Sequence, residues 1–268
     1  MDQATDPSGT FERKLSVTGP VVLDVGTYSG VIRVGVGAAG SVLVRGTLRP
    51  RRSLFGWGSV EDRIRRLEAE PPIEQDGNTI RIGDLADKRL LRGLTLVLEI
   101  VVPRETEVRA LADAADIRVE GIIGPVDCEA DSGQIEIVNI ESRVRVATDS
   151  GGIHIRQIKG SVHARTDSAD IEALEIAGEI EASTDSSDIQ LSQTAPAPIR
   201  ARSDSGSIGL RLVDGAGYNL RVRTDGGRIA IPDMTWQERS SLCEAVGQIR
   251  GGGPTINLES NSGGIDVQ

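Results

Sequence analysis

A five-residue motif recurs along the second half of this 268-residue sequence and constrains its fold more than any other feature. The motif reads Asp, two small residues, any residue and then Ile, and successive copies begin 18 residues apart for four steps and then 19 and 21 residues apart. A last copy starts at Asn261, 36 residues further on, or two such intervals. Helical repeats need about 33 residues or more, so the interval favours a repeat built from β-strands. The Asp copies start at Asp113, Asp131, Asp149, Asp167, Asp185, Asp204 and Asp225.

Each copy continues as two short stretches in which apolar and polar residues alternate. Alternation with a period of two is typical of a strand with one buried face. A unit of two short strands cannot bury that face alone, but it can do so by stacking in parallel on its neighbours, about 4.8 Å apart. We therefore predict an all-β fold: a single parallel β-solenoid, or β-helix, with about 18 residues per turn. Parallel crossovers nearly always have one hand, which favours right-handed winding.

Composition and charge divide the chain into two predicted regions. Valine and isoleucine together number 50 against six aromatic residues, which favours strands packed with branched aliphatic side chains. Residues 1–106, with a net charge of +1, are predicted to form an N-terminal β cap and the first turns, interrupted by an Arg-rich loop at 49–72. Residues 107–268, with a net charge of −11, are predicted to form the acidic solenoid repeats, with an irregular segment at 232–253.

The same features exclude several classes of protein. An acidic repeat region argues against nucleic acid as a partner, because nucleic-acid binding depends on neutralising phosphates. No apolar run is long enough to span a membrane, and the polar N-terminus has no apolar signal-peptide region, so the sequence predicts a cytoplasmic protein. Cys128 and Cys243 are too few for a disulfide framework and lie in no zinc-ligand pattern. We expect no cofactor, apart from the calcium ion considered below.

The repeated turns resemble a known bacterial family. Serial DSGxIxI turns, such as TDSGGIHI at 148–155, are followed by GQIRGGGPTINLESNSGGIDV at 247–267. Together with FERKLSVTGPVVLDVGTYSGVIRV at 11–34, they resemble the putative-adhesin family of unknown function. The resemblance implies a β-solenoid with DSG corners and no established catalytic residues. It also implies a link to the cell envelope, because members of the family are often exported or found beside envelope-stress genes.

The column of motif aspartates has two interpretations. Stacked turns would place these carboxylates about 5 Å apart, where two unit charges repel by roughly 3 kcal/mol at an effective dielectric of 20. In the structural interpretation each carboxylate accepts backbone N–H groups in an Asx-turn, and the corner glycine supplies a positive φ. In the functional interpretation the carboxylates are oxygen ligands for Ca²⁺. The candidate ligands are Asp131, Asp149, Asp167 and Asp185.

Two segments carry large aromatic residues that could contact a protein partner. Phe55 and Trp57 lie between glycines in the Arg-rich loop, beside Arg51 and Arg52, and such residues are typical anchors of interfaces. Trp236 lies in the predicted irregular segment. The alternative is that these aromatic residues pack back onto the cap or the solenoid wall.

The last predicted strand is a candidate surface for self-assembly. The sequence stops at GGIDVQ, so Ile265 and Val267 would lie on a strand with an unpaired edge. An open solenoid end invites pairing with a second copy. The alternative is that residues 232–253 fold across this end and cover it.

No arrangement of residues in the sequence points to catalysis. Serines recur beside the motif aspartates as architecture, and the two histidines, His154 and His163, lie on different predicted strands. We therefore predict a non-enzymatic structural or interaction scaffold that contacts a protein partner or itself, with the last strand as the candidate surface for self-assembly. The alternative is an adhesin-like binding module for a cell-envelope or polysaccharide ligand.

Overall fold

The computed structural model describes residues 8–51, 58–83, 91, 93–231, 234–241 and 243–268. Contacts divide the chain into two units, Met1–Gly133 and Gln134–Gln268. Strands dominate both units, and most of their pairings are parallel, which confirms the predicted all-β, mostly parallel class. The handedness of the winding and the boundary at residue 106 stay predictions.

The first unit combines an antiparallel set of strands with a parallel set. Its order is β1–β3–β6–β2–β7–β8, in which β1, β3 and β6 pair antiparallel and β6, β2, β7 and β8 pair parallel. The first half of β2 also pairs with β5, which forms a hairpin with β4. The strands are β1 Gly9–Ser16, β2 Val21–Val36, β3 Ser41–Pro50, β4 Ile73–Asp76, β5 Thr79–Ile82, β6 Leu94–Val102, β7 Thr106–Glu120 and β8 Val126–Ser132.

Helix α1 (Gly58–Ala69) packs on β1 in this unit. Ile64 and Leu67, three residues apart on one face, are buried, so part of the segment predicted as a loop at 49–72 is an amphipathic helix. The Glu68 carboxylate accepts a hydrogen bond from the Thr10 N–H at 2.7 Å, which ties the helix to the strand.

The second unit is built from two parallel ladders of short strands. The first ladder runs β9–β11–β13–β15–β17–β23–β19, and the second runs β10–β12–β14–β16–β22–β18. Ile153 pairs with Ile135 and Ile171, each 18 residues away, so equivalent residues of the motif stack on one another. The strands are β9 Ile135–Ile140, β10 Val144–Thr148, β11 Ile153–Ile158, β12 Val162–Thr166, β13 Ile171–Ile176, β14 Ile180–Thr184, β15 Ile189–Gln193, β16 Ile199–Ser203, β17 Ile208–Arg211, β18 Tyr218–Thr224, β19 Ile229–Ala230, β20 Met234–Ser241, β21 Glu244–Ile249, β22 Thr255–Ser260 and β23 Ile265–Val267.

The last turn of the chain, residues 255–267, lies between two earlier turns, and we call it the inserted turn. Its strand β22 pairs with β16 on one side and β18 on the other, while β23 pairs with β17 and β19. The prediction that Ile265 and Val267 lie on an open edge is therefore wrong. Both edges of β23 are hydrogen-bonded, and the two side chains are 1% and 0% exposed.

The segment predicted to be irregular, 232–253, contains a β-hairpin. Strand β21 pairs antiparallel with β18 and extends the second ladder, and β20 pairs antiparallel with β21. The backbone of Trp236 lies on β20 opposite Gly247. The sequence-based expectation of irregular structure failed because this segment lacks the motif, although it still continues the sheet.

Candidate binding groove

The repeated motif forms the corners that lead from the second ladder to the first. In the second unit, from Asp149 onward, the residue before each motif Asp or Asn points inward and is a buried threonine or serine. In four corners its hydroxyl oxygen accepts a hydrogen bond from the glycine N–H three residues later, at 2.8–3.1 Å. In these four corners the prediction that the carboxylate makes the turn is wrong, because the hydroxyl already satisfies the N–H. The four pairs are Thr148–Gly151, Ser203–Gly206, Thr224–Gly227 and Ser260–Gly263.

The predicted positive φ is absent from the corner glycines of the second unit, and three of them, Gly206, Gly227 and Gly263, serve close packing. A Cβ at Gly206 would lie 1.8 Å from the Ser187 carbonyl oxygen of the neighbouring turn, and one at Gly263 would lie 2.0 Å from the Gly206 carbonyl oxygen. Real Cβ atoms do not approach other atoms so closely, so these corners exclude any larger residue.

The motif carboxylates of the second unit lie at the surface, and an arginine two residues earlier offsets the charge of three of them. The nitrogen–oxygen distances are 3.9 Å for Arg165–Asp167, 3.2 Å for Arg202–Asp204 and 3.2 Å for Arg223–Asp225. Because the inserted turn places Asn261 between Asp204 and Asp225, a neutral amide interrupts the column. Its Nδ2 donates a hydrogen bond to Asp204 Oδ1 at 3.3 Å.

The candidate calcium ligands Asp131, Asp149 and Asp185 are exposed, and Asp167 is half-buried beside Arg165. Among the residues that the structure describes, no group of three or more His, Cys, Asp or Glu side chains is arranged to hold a metal ion. Calcium binding by the motif aspartates stays a prediction.

Only some of the predicted partner-binding residues lie in the described part of the chain. Phe55, Trp57 and Arg52 lie outside the described residues. Arg51 is exposed, and its backbone N–H donates a hydrogen bond to the Gly93 carbonyl at 2.9 Å. The partner-binding roles of these residues and of Trp236 stay predictions.

The outer face of the first ladder holds a feature that the sequence analysis missed: a groove of about 900 Å³ lined by both polar and apolar residues. It crosses strands β13, β15, β17, β23 and β19. Of the residues singled out from the sequence, Ile265 alone lines it, and its side chain points into the core. The other residues used below are Leu174, Glu175, Gln190, Ser192, Ser207, Gly209, Arg211, Arg228, Asp266 and Gln268.

Small residues at outward positions open this groove. On the first ladder, the residue after the first Ile of each strand points outward, and these residues stack in a column. In this column β11 carries His154 and β13 carries Glu172, whereas β17 carries Gly209. Without a side chain at Gly209, the amide of Gln190 lies across that position. The substitution was visible in the sequence, but its significance depends on knowing which strands are neighbours.

Two exposed arginines line the groove and can contact a ligand. Arg211 and Arg228 are exposed, and neither has an ion-pair partner within the described part of the chain. The acidic Asp266 already accepts a hydrogen bond from Gln268 Nε2 at 3.1 Å. From the spacings within and between strands, the Cα atoms of the two arginines lie roughly 16 Å apart, toward opposite corners of the groove.

A smaller depression of about 290 Å³ lies on the same face, lined by Gln134, Glu136, Val138, His154 and Arg156. Beside it, His154 Nδ1 lies 3.0 Å from Glu172 Oε2, and Arg156 Nη2 lies 3.1 Å from Glu172 Oε1. The hydrogen bond with His154, followed by the contacts with Arg156, lowers the pKa of the Glu172 carboxyl, although partial burial acts in the opposite direction.

Comparisons with known proteins identify the fold and the family. A comparison with curated proteins gives no match. A solved structure of a putative adhesin from Bacteroides fragilis NCTC 9343 is similar over 97% of both chains, with a TM-score of 0.52 and 18% identity, which supports the fold alone. A putative cell adhesion protein from Clostridium sporogenes ATCC 15579 aligns over 96% of this chain and 98% of its own, with 11% identity and a TM-score of 0.29.

No helix in the described residues is long and apolar enough to cross a membrane.

The family model for Toastrack DUF4097 matches residues 97–268, which is more than half of the sequence. The chain therefore belongs to the Toastrack DUF4097 family.

Proposed function

We propose that this protein is a non-enzymatic binding module that holds an extended, acidic polysaccharide in the groove on the first ladder. One observation carries the proposal: Arg211 and Arg228 face the groove without an ion-pair partner among the described residues. The lining beside them holds the amides and hydroxyls of Gln190, Ser192 and Ser207, together with the carboxylates of Glu175 and Asp266.

The chemistry of the lining suits such a ligand. A guanidinium binds a carboxylate through two parallel N–H groups, which gives both strength and orientation. Gln190, Ser192 and Ser207 can donate to and accept from sugar hydroxyls. Because the described lining holds no aromatic residue on which a neutral sugar could stack, recognition depends on charge and hydrogen bonds.

The volume and the support of the groove also favour binding. About 900 Å³ falls within the usual range for ligand sites. The floor consists of hydrogen-bonded parallel strands, so little ordering is required when a ligand binds. Adhesion is the role named for the Bacteroides fragilis protein, and an adhesin-like role at the cell envelope would fit a polysaccharide ligand.

Titration calorimetry of the full chain with polygalacturonate, and with neutral dextran for comparison, tests the proposal. We expect polygalacturonate alone to bind, and we expect Arg211→Ala and Arg228→Ala each to weaken binding about tenfold or more, because each removes a charge-assisted contact. Arg221→Ala is the matched control, since Arg221 is exposed on the second ladder and also lacks an ion-pair partner in the described region. Absence of binding, or an equal loss in Arg221→Ala, would overturn the proposal.

Filling the groove provides a second test that leaves the arginines in place. Gly209→Tyr adds a side chain to the floor, where the close neighbour is the movable end of Gln190. We expect binding to be lost while the midpoint of urea unfolding stays near that of the wild type. Unchanged binding in a variant that retains its fold would place the ligand elsewhere.

A further inference from the structure

We infer that the small depression at His154 and Arg156 is a second subsite for the same ligand, which therefore runs along the ladder and crosses its strands. This inference rests on the proposed function and adds the length and direction of the ligand. Both features lie on the outer face of the first ladder, the depression at β9 and β11 and the groove from β13 to β19.

The two features are contiguous. Arg156, which lines the depression, pairs directly with Leu174, which lines the groove. From β9 to β19 the ladder has six strand intervals, or roughly 29 Å at the usual spacing between strands. A straight chain of several sugar residues lying across the strands can therefore contact both features at once.

Three cations are spread along this face, although Arg228 lies about four residues along the strand direction from the level of Arg211. Arg156 lies on β11, Arg211 on β17 and Arg228 immediately before β19. They are separated by three and then two strand intervals, or roughly 14 Å and 10 Å across the ladder. A polymer that carries acidic groups along its length offers a carboxylate near each arginine.

The ion pair with Glu172 orients the Arg156 side chain and uses only one of its nitrogen atoms. Glu172 contacts Arg156 through Nη2 alone, while a guanidinium has five N–H groups. The remaining donors stay available for a ligand carboxylate. The other charged groups at this end of the face are His154, which shares the Glu172 carboxylate, and Glu136 on β9.

A length series of oligogalacturonides tests the inference by titration calorimetry. We expect the affinity to rise with oligomer length and to level off once the oligomer spans the six strand intervals. We expect Arg156→Ala to weaken binding of the long oligomer about tenfold, because it removes one charge-assisted contact, and to leave the affinity for short oligomers unchanged.

The second ladder offers a matched control. There His163 Nδ1 lies 3.1 Å from Glu181 Oε2, and Arg200 Nη1 lies 3.8 Å from Glu181 Oε1, so a histidine and an arginine again share one glutamate. We expect Arg200→Ala to bind every oligomer as the wild type does.

The outcomes separate this inference from the proposed function. If short oligomers bind as tightly as long ones, or if Arg156→Ala weakens both alike, the second subsite is overturned and the groove stands. If no oligomer binds at any length, the proposed function itself fails and the inference fails with it.

Discussion

The regular turns and the inserted turn are built from the same motif but take their places in the stack differently. In the regular turns, spatial neighbours are also neighbours along the chain, as with Ile171, which pairs with Ile153 from the turn before. In the inserted turn, Ile265 pairs with Ile208 and Ile229, residues that lie 57 and 36 positions earlier. The motif therefore encodes the shape of a turn, whereas the chain's connections decide its position.

Alanine substitutions in the two kinds of turn test whether the inserted turn contributes as much to the stability of the fold as a regular turn does. Ile265 and Ile171 each have strands on both sides and are 1% exposed. We expect Ile265→Ala and Ile171→Ala each to lower the free energy of unfolding by about 2–5 kcal/mol, because each leaves a cavity. Urea denaturation measures both, and a loss below about 1 kcal/mol for Ile265→Ala alone would show that the inserted turn is dispensable.

The corners provide a second test of the same difference. The backbones approach more closely at the corners beside the inserted turn than at two of the regular corners. Gly206 lies against the backbone of Ser187, whereas Ala169 and Ser187 occupy the equivalent corner position in regular turns. We expect Gly206→Ala to cost about 1–3 kcal/mol from overpacking. Ser187→Ala serves as the control and should change the urea midpoint little. Equal midpoints for the two variants would show that the close approach at Gly206 relaxes freely.

The inward hydroxyls differ between the same two regions. Thr224 donates to the Gly263 carbonyl of the inserted turn at 2.8 Å and accepts from the Gly227 N–H at 3.0 Å. The Thr166 hydroxyl, in a regular turn, is buried and has no hydrogen-bond partner among the described residues. We expect Thr224→Val to cost about 1–2 kcal/mol and Thr166→Val to be neutral or stabilising, since a buried hydroxyl without a partner is unfavourable. Thermal unfolding of each variant measures these changes, and a larger loss of stability in Thr166→Val than in Thr224→Val would contradict this account.

The smallest expected effect concerns the ion pairs between regular turns. A carboxyl whose pKa is lowered on folding contributes stability above its unfolded pKa and loses it as the pH falls through the folded value. The lowered pKa of Glu172 therefore predicts that stability declines below about pH 4.3. Because Glu172 is partly exposed, the contribution should be at most about 1 kcal/mol. Urea midpoints across this range should fall less steeply in Glu172→Gln, and parallel curves would refute the assignment.

The motif allowed the sequence to predict the class of fold and the buried apolar positions. The inward positions of Ile153, Ile155 and Ile158 followed from alternation alone, since burial of one face imposes a period of two. The place of Ile265 did not follow, because equivalent turns have interchangeable edges and nothing local distinguishes an end from a gap. The step of 36 residues before Asn261 was the visible trace of that rearrangement.

The candidate site was less predictable than the fold. Arg211 and Arg228 are unremarkable polar residues along the chain, and they share a groove only because β23 lies between the strands near them. The corner aspartates, by contrast, were conspicuous in the sequence. Their regular spacing reflects the period of the turns, and neighbouring arginines pair with Asp167, Asp204 and Asp225.

The inserted turn also affects how the second unit reaches its native state. Closing a loop of 57 residues instead of 18 costs about 1 kcal/mol more in chain entropy. Contacts so distant along the chain slow folding relative to local ones. Strands β22 and β23 gain both of their partners only after the flanking turns exist, so their docking is a late, cooperative step. Substitutions in this segment should therefore accelerate unfolding more than they slow folding.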